Sequence, residues 1–132
     1  MAIDRQKDRQ KDRQQDRQAS ERRGHRSETV AALWLRLKGY RILARRLKTR
    51  AGEIDLVAAA PFGPVCFVEV KARRLTQVAA ESVGPAQQTR IARAASLYLA
   101  SRPGLARRGS RFDIVAIAPH ALPVHHRDVW RP

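Results

Sequence analysis

The segment Gly52-Glu53-Ile54-Asp55-Leu56-Val57-Ala58-Ala59-Ala60-Pro61-Phe62-Gly63-Pro64-Val65-Cys66-Phe67-Val68-Glu69-Val70-Lys71 decides how this chain folds. Two apolar runs, Ile54 to Ala60 and Val65 to Val70, flank a turn-forming stretch, the pattern of a β-hairpin whose strands are covered on both faces. Each run carries a carboxylate, Asp55 or Glu69, where a buried strand ordinarily carries Val or Ile, and buried charge is costly unless compensated. Taking Ala60-Pro61-Phe62-Gly63-Pro64 as a five-residue loop sets Ala59 opposite Val65, Asp55 opposite Glu69 and Glu53 opposite Lys71. Directly opposed side chains have Cβ atoms roughly 5 Å apart, and like charges so placed destabilise a sheet. The pair therefore calls for a shared proton or a bound cation, because Lys71 alone does not neutralise both acids and Glu53. A slip of one residue would break this alignment.

Working outward, Val57, Ala59, Val65 and Phe67 are predicted on one face of the hairpin, and Ile54, Leu56, Val68 and Val70 on the other. Upstream, Glu28 to Lys38 has helical periodicity, with Val30, Trp34 and Leu37 on one stripe, Ala31, Ala32 and Leu35 beside it, and Gly39 as the stop. That phase makes Trp34 a core residue. Glu28 precedes Ala31, Ala32 and Leu35 by three, four and seven, which points it along the buried side; by itself it also reads as a first-turn glutamate complementing the helix dipole. Tyr40 to Leu47 is predicted as a first strand. Gln87 to Ala100 is predicted as a second helix with Ile91, Ala94, Ala95 and Tyr98 inward, Gln87, Arg90 and Arg93 toward solvent, and Arg102-Pro103-Gly104 closing it. Phe112 to Ala118 and Val124 to Trp130 complete the strands. The order α-β-β-β-α-β-β describes an α/β domain with a mixed central sheet between helices.

The chain has 132 residues and a formal charge of +15. Residues 1–20 are a polar, low-complexity tail built on Asp4-Arg5-Gln6-Lys7 and its variants, either disordered or a lone solvated helix supported by Asp to Lys pairs three apart; residues 21–132 form the domain. The first 23 residues hold eight basic and five acidic side chains, which leaves nineteen against seven for the rest. Most of the charge therefore belongs to the domain, and a polyanion, nucleic acid ahead of an acidic membrane, is the leading partner. Three of the domain's seven acids fall in the central hairpin, a use of carboxylates that merely coating phosphates does not require. The charged N-terminus lacks the apolar stretch of a secretory signal, and no apolar run approaches the ~20 residues of a membrane span. With Cys66 as a single thiol in mid-strand, a packing role and a cytoplasmic location are expected.

Asp55, Glu69 and Lys71 at one sheet edge of a basic protein suit metal-dependent phosphodiester cleavage. The two carboxylates offer hard oxygens for Mg²⁺, with Mn²⁺ an alternative, and Mg²⁺ keeps several waters while using one or two protein carboxylates. The Val70 carbonyl can add a ligand, Glu28 can reach the metal directly or through water, and Lys71 can orient the attacking water or stabilise developing charge. The chain has 22 arginines and five lysines, so a lysine at 71 speaks for a role beyond charge. Around the site, Arg45, Arg46, Lys48, Arg50, Arg73, Arg74 and Arg90 are candidates for phosphate-backbone contacts. Asp113, inside an apolar strand, reads as an arginine's partner. His25, His120, His125 and His126 have no zinc-like spacing, and no regular aromatic interleaving marks a single-strand stacking platform.

The pattern Glu28, Asp55, Glu69-Val70-Lys71 resembles the PD-(D/E)xK nuclease superfamily, with the spacing of archaeal Holliday-junction resolvases. Further motifs recur in order: Gly24-x-x-x-Glu28, Gly39-Tyr40-Arg41-Ile42-Leu43, Gly52-Glu53-Ile54-Asp55-Leu56-Val57, Phe67-Val68-Glu69-Val70-Lys71-x-Arg73, Tyr98-Leu99 and Arg111-Phe112-Asp113-Ile114-Val115-Ala116. Together, over roughly residues 22 to 118, they resemble the bacterial YraN family. The resemblance implies a restriction-endonuclease-like core, with Glu28, Asp55, Glu69 and Lys71 in the metal and catalytic positions. Two departures stand out: Ile54 replaces the superfamily's nominal proline, and Gln87 stands where YraN-type sequences typically have lysine.

These readings converge on a metal-dependent, structure-selective DNA endonuclease acting on branched DNA, with a pair of copies one way to cut two strands. Two rivals stand beside it: a noncatalytic nucleic-acid-binding protein of the same fold, and a small assembly factor whose acids are only structural.

Overall fold

The computed structural model describes residues 2–72 and 83–132. Helix α1 (Ala2–Leu37) leads into strands β1 (Arg41–Thr49), β2 (Gly52–Ala59) and β3 (Val65–Lys71); helix α2 (Pro85–Ala100) and a single turn α3 (Pro103–Ala106) precede β4 (Ser110–Ala116) and β5 (Val124–Trp130). The five strands form one sheet in sequential order. β1–β2, β2–β3 and β4–β5 are antiparallel, while β3 and β4 are parallel, as their helical crossover requires. This is the expected mixed sheet between helices, a restriction-endonuclease-like core, with α3 as one added turn.

α1 covers one face of the sheet, where Ala31, Ala32, Leu35 and Tyr40 pack on Leu56, Ala58, Cys66, Val68 and Val115. α2 covers the other, with Ala94, Ala95 and Tyr98 on Val57, Val65, Phe67 and Phe112. Small residues on both helices let them approach the sheet closely. α1 ends in a Schellman arrangement: the Gly39 amide donates to Arg36 O and the Tyr40 amide to Leu35 O. Gly39 takes φ +89°, and a Cβ there would meet Pro61 Cγ at 3.2 Å, so glycine is required twice over.

Two helix expectations, the start of α1 and the burial of Trp34, are corrected. α1 begins at Ala2 and not near Glu28, so Glu28 lies far from any first turn and the dipole explanation for it falls away. The polar repeat is part of that helix, and its residues 5–15 are exposed throughout. Trp34 is half-buried, with Val30 and Leu37 exposed, because the stripe through Glu28, Ala31, Ala32 and Leu35 is the one that meets the sheet.

Cys66 is fully buried, and burial pushes its thiol up to about 12, keeping it protonated and inert. Arg108 donates to the Ala60 and Gly63 carbonyls and so pins the hairpin loop.

The edge strand β5 buries little and is held by polar bonds to Asp113. A register shift opposite Asp113 frees the Asp128 amide, which donates to Asp113 Oδ1 at 2.9 Å. Arg111 donates to both Asp113 oxygens, and His125 Nε2–H donates to Oδ2 at 2.8 Å while Lys38 Nζ donates to His125 Nδ1. Burial raises the Asp113 carboxyl, but the bonds from His125, Arg111 and the Asp128 amide outweigh it and bring it down to about 2. Asp113 thus pairs with an arginine as the sequence suggested, and His125 serves it structurally. Asp113→Ala strands a buried guanidinium, an imidazole and an amide together, and is expected to cost about 3–5 kcal/mol, read from urea denaturation at pH 7.

Candidate active site where two strands part

The hairpin pairs as expected, with Ala59 opposite Val65, Val57 opposite Phe67 and Leu56 opposite Val68. The ladder ends there, one position before Asp55 and Glu69. Asp55 Oδ2 accepts the Val70 amide at 2.8 Å, so a side chain takes the place of a strand carbonyl and holds the parting strands at a fixed distance. The two acids are brought to one place, as the register required, but in a cleft and not as a flat cross-strand pair.

The face pattern changes at the same point. Leu56 packs under α1, yet Ile54, two residues earlier, packs with Val57, Val65 and Phe67 under α2. Ile54 therefore does not share a face with Leu56, contrary to simple alternation. β1 breaks alternation alongside it. Arg45 donates to Thr29 Oγ1 and Arg46 to Glu28 Oε2, so two consecutive strand residues both reach α1. A left-handed backbone at Arg46, φ +51°, makes this possible. Arg46 lies between the Arg45–Leu56 and Leu47–Ile54 pairs, directly across from Asp55.

Glu69 is half-buried in the cleft. Its Oε1 accepts from Gln87 Nε2 at 2.8 Å and lies 3.1 Å from Lys71 Nζ. Its Oε2 is buried and has no hydrogen-bond partner among the described residues. A pocket of about 140 Å³ opens here, lined by Asp55, Glu69, Gln87, Arg90 and Glu53 among others. A wider groove of about 960 Å³ runs along α2 past Arg50, Arg93, Phe112 and Trp130, but no acid among the described residues lines it, so the described chemistry-bearing groups lie in the smaller space.

Burial raises the Asp55 carboxyl from the usual 3.8 to about 6; Glu69 and Glu28 add to the rise, while the Val70 amide and Lys71 oppose it. Glu28 is therefore close enough to be felt, but its carboxylate is turned to Arg46, 2.8 Å away. Among the described residues no three His, Cys, Asp or Glu side chains are gathered as a metal-holding group. Asp55 and Glu69, with the Val70 backbone between their strands, are the two carboxylates brought together.

Of the candidate phosphate contacts, Lys48, Arg50 and Arg90 are exposed, with Arg90 at the pocket; Arg45 and Arg46 are exposed but engaged with α1. Arg73 and Arg74 lie outside the described residues. Gln87 is corrected: it turns into the site and not toward solvent. Its position four residues before the inward Ile91 carried that signal.

The family model described as "Uncharacterised protein family UPF0102" matches residues 27–117. This chain belongs to that family. The match begins one residue before Glu28, runs through β4 and takes in Asp55, Glu69, Lys71 and Gln87; UPF0102 is the YraN family whose motifs the sequence carries. UPF0102 proteins of Paramagnetospirillum magneticum and Parvibaculum lavamentivorans are 54% and 52% identical, each over 86% of this chain and over 90% and 85% of their own lengths. A third, from Mesorhizobium japonicum, is 52% identical over 79% of this chain and 82% of its own. No helix among the described residues is long and apolar enough to cross a membrane.

The raised Asp55 carboxyl fixes a pH dependence. Below pH 3.8 Asp55 is neutral folded or unfolded and costs nothing; as pH rises through 3.8 to about 6 the unfolded chain ionises first, so stability falls, and above 6 the loss is complete. Asp55→Asn keeps an oxygen for the Val70 amide and is expected to stabilise the metal-free protein by roughly 2–3 kcal/mol at pH 7–8 and not at pH 3.5, measured by denaturant titration at each pH.

Proposed function

We propose that the chain is a divalent-cation-dependent DNA endonuclease acting on branched DNA. The observation that carries this reading is the buried, unpartnered Oε2 of Glu69 beside an Asp55 carboxyl that burial and neighbouring acids keep from ionising easily. The donor set fits a divalent cation: two carboxylates and a backbone carbonyl are hard oxygens of the kind Mg²⁺ or Mn²⁺ uses while keeping waters for substrate exchange. Asp55 and Glu69 would hold it, with the Val70 carbonyl as a further ligand. When bound, such a cation activates a water and polarises a phosphate oxygen.

The protein's own groups prepare that site. Asp55, fixed by the Val70 amide, keeps one carboxylate oxygen anchored and the other available. Gln87 and Lys71 occupy Oε1 of Glu69, so Oε2 is the oxygen that would hold the cation. Lys71 Nζ, held beside the carboxylate, is placed to orient the attacking water and to meet charge developing on the phosphate. The departure from lysine at position 87 leaves a neutral donor where a second cation would compete with the metal, and Arg90, at the same pocket, supplies the charge for the DNA backbone. Exposed Lys48 and Arg50 extend that contact. Resolving a junction means cutting two of its strands, so symmetric cutting would take two copies.

With Mg²⁺ and junction, flap or duplex substrates, Asp55→Ala and Lys71→Ala are each expected to lower cleavage about 100-fold or more without weakening DNA binding in gel-shift titrations. EDTA should have the same effect on the unaltered chain and excess Mg²⁺ should reverse it. Tight, salt-sensitive binding with no cleavage of any substrate under Mg²⁺ or Mn²⁺ would instead leave the noncatalytic nucleic-acid binder as the correct reading.

A further inference from the structure

The Arg46–Glu28 pair joins an edge strand to the buried side of α1, and its construction is unusual. Glu28 is 7% exposed, on the face of α1 that meets the sheet. Its partner comes from an edge strand and not from a neighbouring helical position, at 2.8 Å through Nε. The Arg46 side chain is 42% exposed, so part of it faces solvent. Reaching Glu28 takes a left-handed backbone in mid-strand, a conformation that is strained for a non-glycine residue and persists where the surroundings impose it. That residue lies across from Asp55. His25 Nε2 and Arg46 Nη1 are in contact, and Arg45 is held on Thr29 beside them, so the guanidinium sits in a small polar cluster open to solvent.

A group placed this way has two possible partners. A backbone phosphate accepts two parallel N–H bonds from a guanidinium and is often a stronger partner than a single Nε contact to a carboxylate. A buried Glu28 that loses its arginine becomes an uncompensated charge and must find a cation. We propose that the Arg46–Glu28 ion pair is a phosphate-displaceable latch: a nucleic-acid backbone phosphate draws Arg46 off Glu28 and frees the Glu28 carboxylate, next to Asp55, for a divalent cation. This rests on Asp55 and Glu69 being the cation site. It explains why Glu28 is near that site but outside it in the free protein. By linkage, DNA tightens cation binding and the cation tightens DNA binding by the same factor.

The phosphate half is tested without metal. Binding of the full chain to a short DNA duplex is measured in EDTA over a range of NaCl for the unaltered protein, Glu28→Gln, Arg46→Ala and the double variant. Freeing Arg46 by Glu28→Gln is expected to tighten binding about threefold or more and to steepen the log–log salt slope by about one contact. The same substitution in the Arg46→Ala background should give no such gain. An equal gain in both backgrounds, meaning that only a negative charge was removed, or no gain in either, overturns the latch. Should Arg46→Ala unfold, the Arg46 Nε–H resonance of the unaltered chain decides: it must shift when duplex is added, and an unmoved resonance overturns the proposal. The cation half is read by titrating Mn²⁺ calorimetrically with and without a phosphorothioate duplex. The duplex should raise Mn²⁺ affinity severalfold in the unaltered chain and not in Glu28→Gln. Loss of that difference overturns the latch alone, whereas no Mn²⁺ uptake under either condition overturns the site reading with it.

Discussion

The hydrogen bond from the Val70 amide to Asp55 Oδ2 is the constraint on which the rest of the site depends. It ends the β2–β3 ladder without leaving the amide of Val70 unpaired, and so lets two central strands separate inside a packed sheet. Without that bond the opening would cost an unsatisfied buried donor. With it, the cleft carries two acids in place of a strand carbonyl and an apolar side chain. Everything nearby is arranged to tolerate them: Lys71 and Gln87 on one Glu69 oxygen, Arg46 on Glu28, and a raised Asp55 carboxyl.

The two buried acid systems of the domain show how the same residue type is put to opposite uses. Asp113 is surrounded by donors from four residues in all, Arg111, His125 and the Asp128 amide directly and Lys38 through His125, and is lowered to about 2. Its satisfaction is complete, and its product is a pinned edge strand. Asp55 has one amide and a nearby lysine and is raised to about 6, while Glu69 keeps an oxygen with nothing to bind. Incomplete satisfaction in a native core is a reason to look for a missing ligand, and the contrast within one sheet makes that inference sharper than either site alone.

How much of this the sequence disclosed follows from which interactions are periodic. The hairpin register was legible because a five-residue loop between two apolar runs leaves little freedom, and the pairs Ala59–Val65 through Leu56–Val68 obey it. Glu28 on the inward stripe was legible from helical phase. The length of α1 was not, because a four-residue polar repeat has no apolar face to mark a helix. The place of Trp34 is illegible for a related reason: of two adjacent stripes the one with larger side chains looks like core, while close packing selects the one with alanines. Gln87 is polar yet turns inward, because its phase with Ile91 carries it to the site. The turn of Arg46 onto α1 comes from a left-handed arginine, and no residue preference announces such a conformation in advance.

Family membership narrows what the remaining sequence can be for. The matched region, residues 27–117, contains the cleft and both helices' inner faces but leaves out the whole polar repeat and β5. The cleft is therefore part of what makes the chain a UPF0102 protein, whereas the repeat is not. Its exposed residues 5–15 extend α1 upstream of Glu28 on the same rigid helix. Glu28 lies on that helix next to Thr29 and one turn after His25, where Arg45 and Arg46 are held. The inner end of α1 thus carries one half of an ion pair whose other half lies across from Asp55, so the seating of the helix on the sheet and the charge balance around the cleft meet at Glu28.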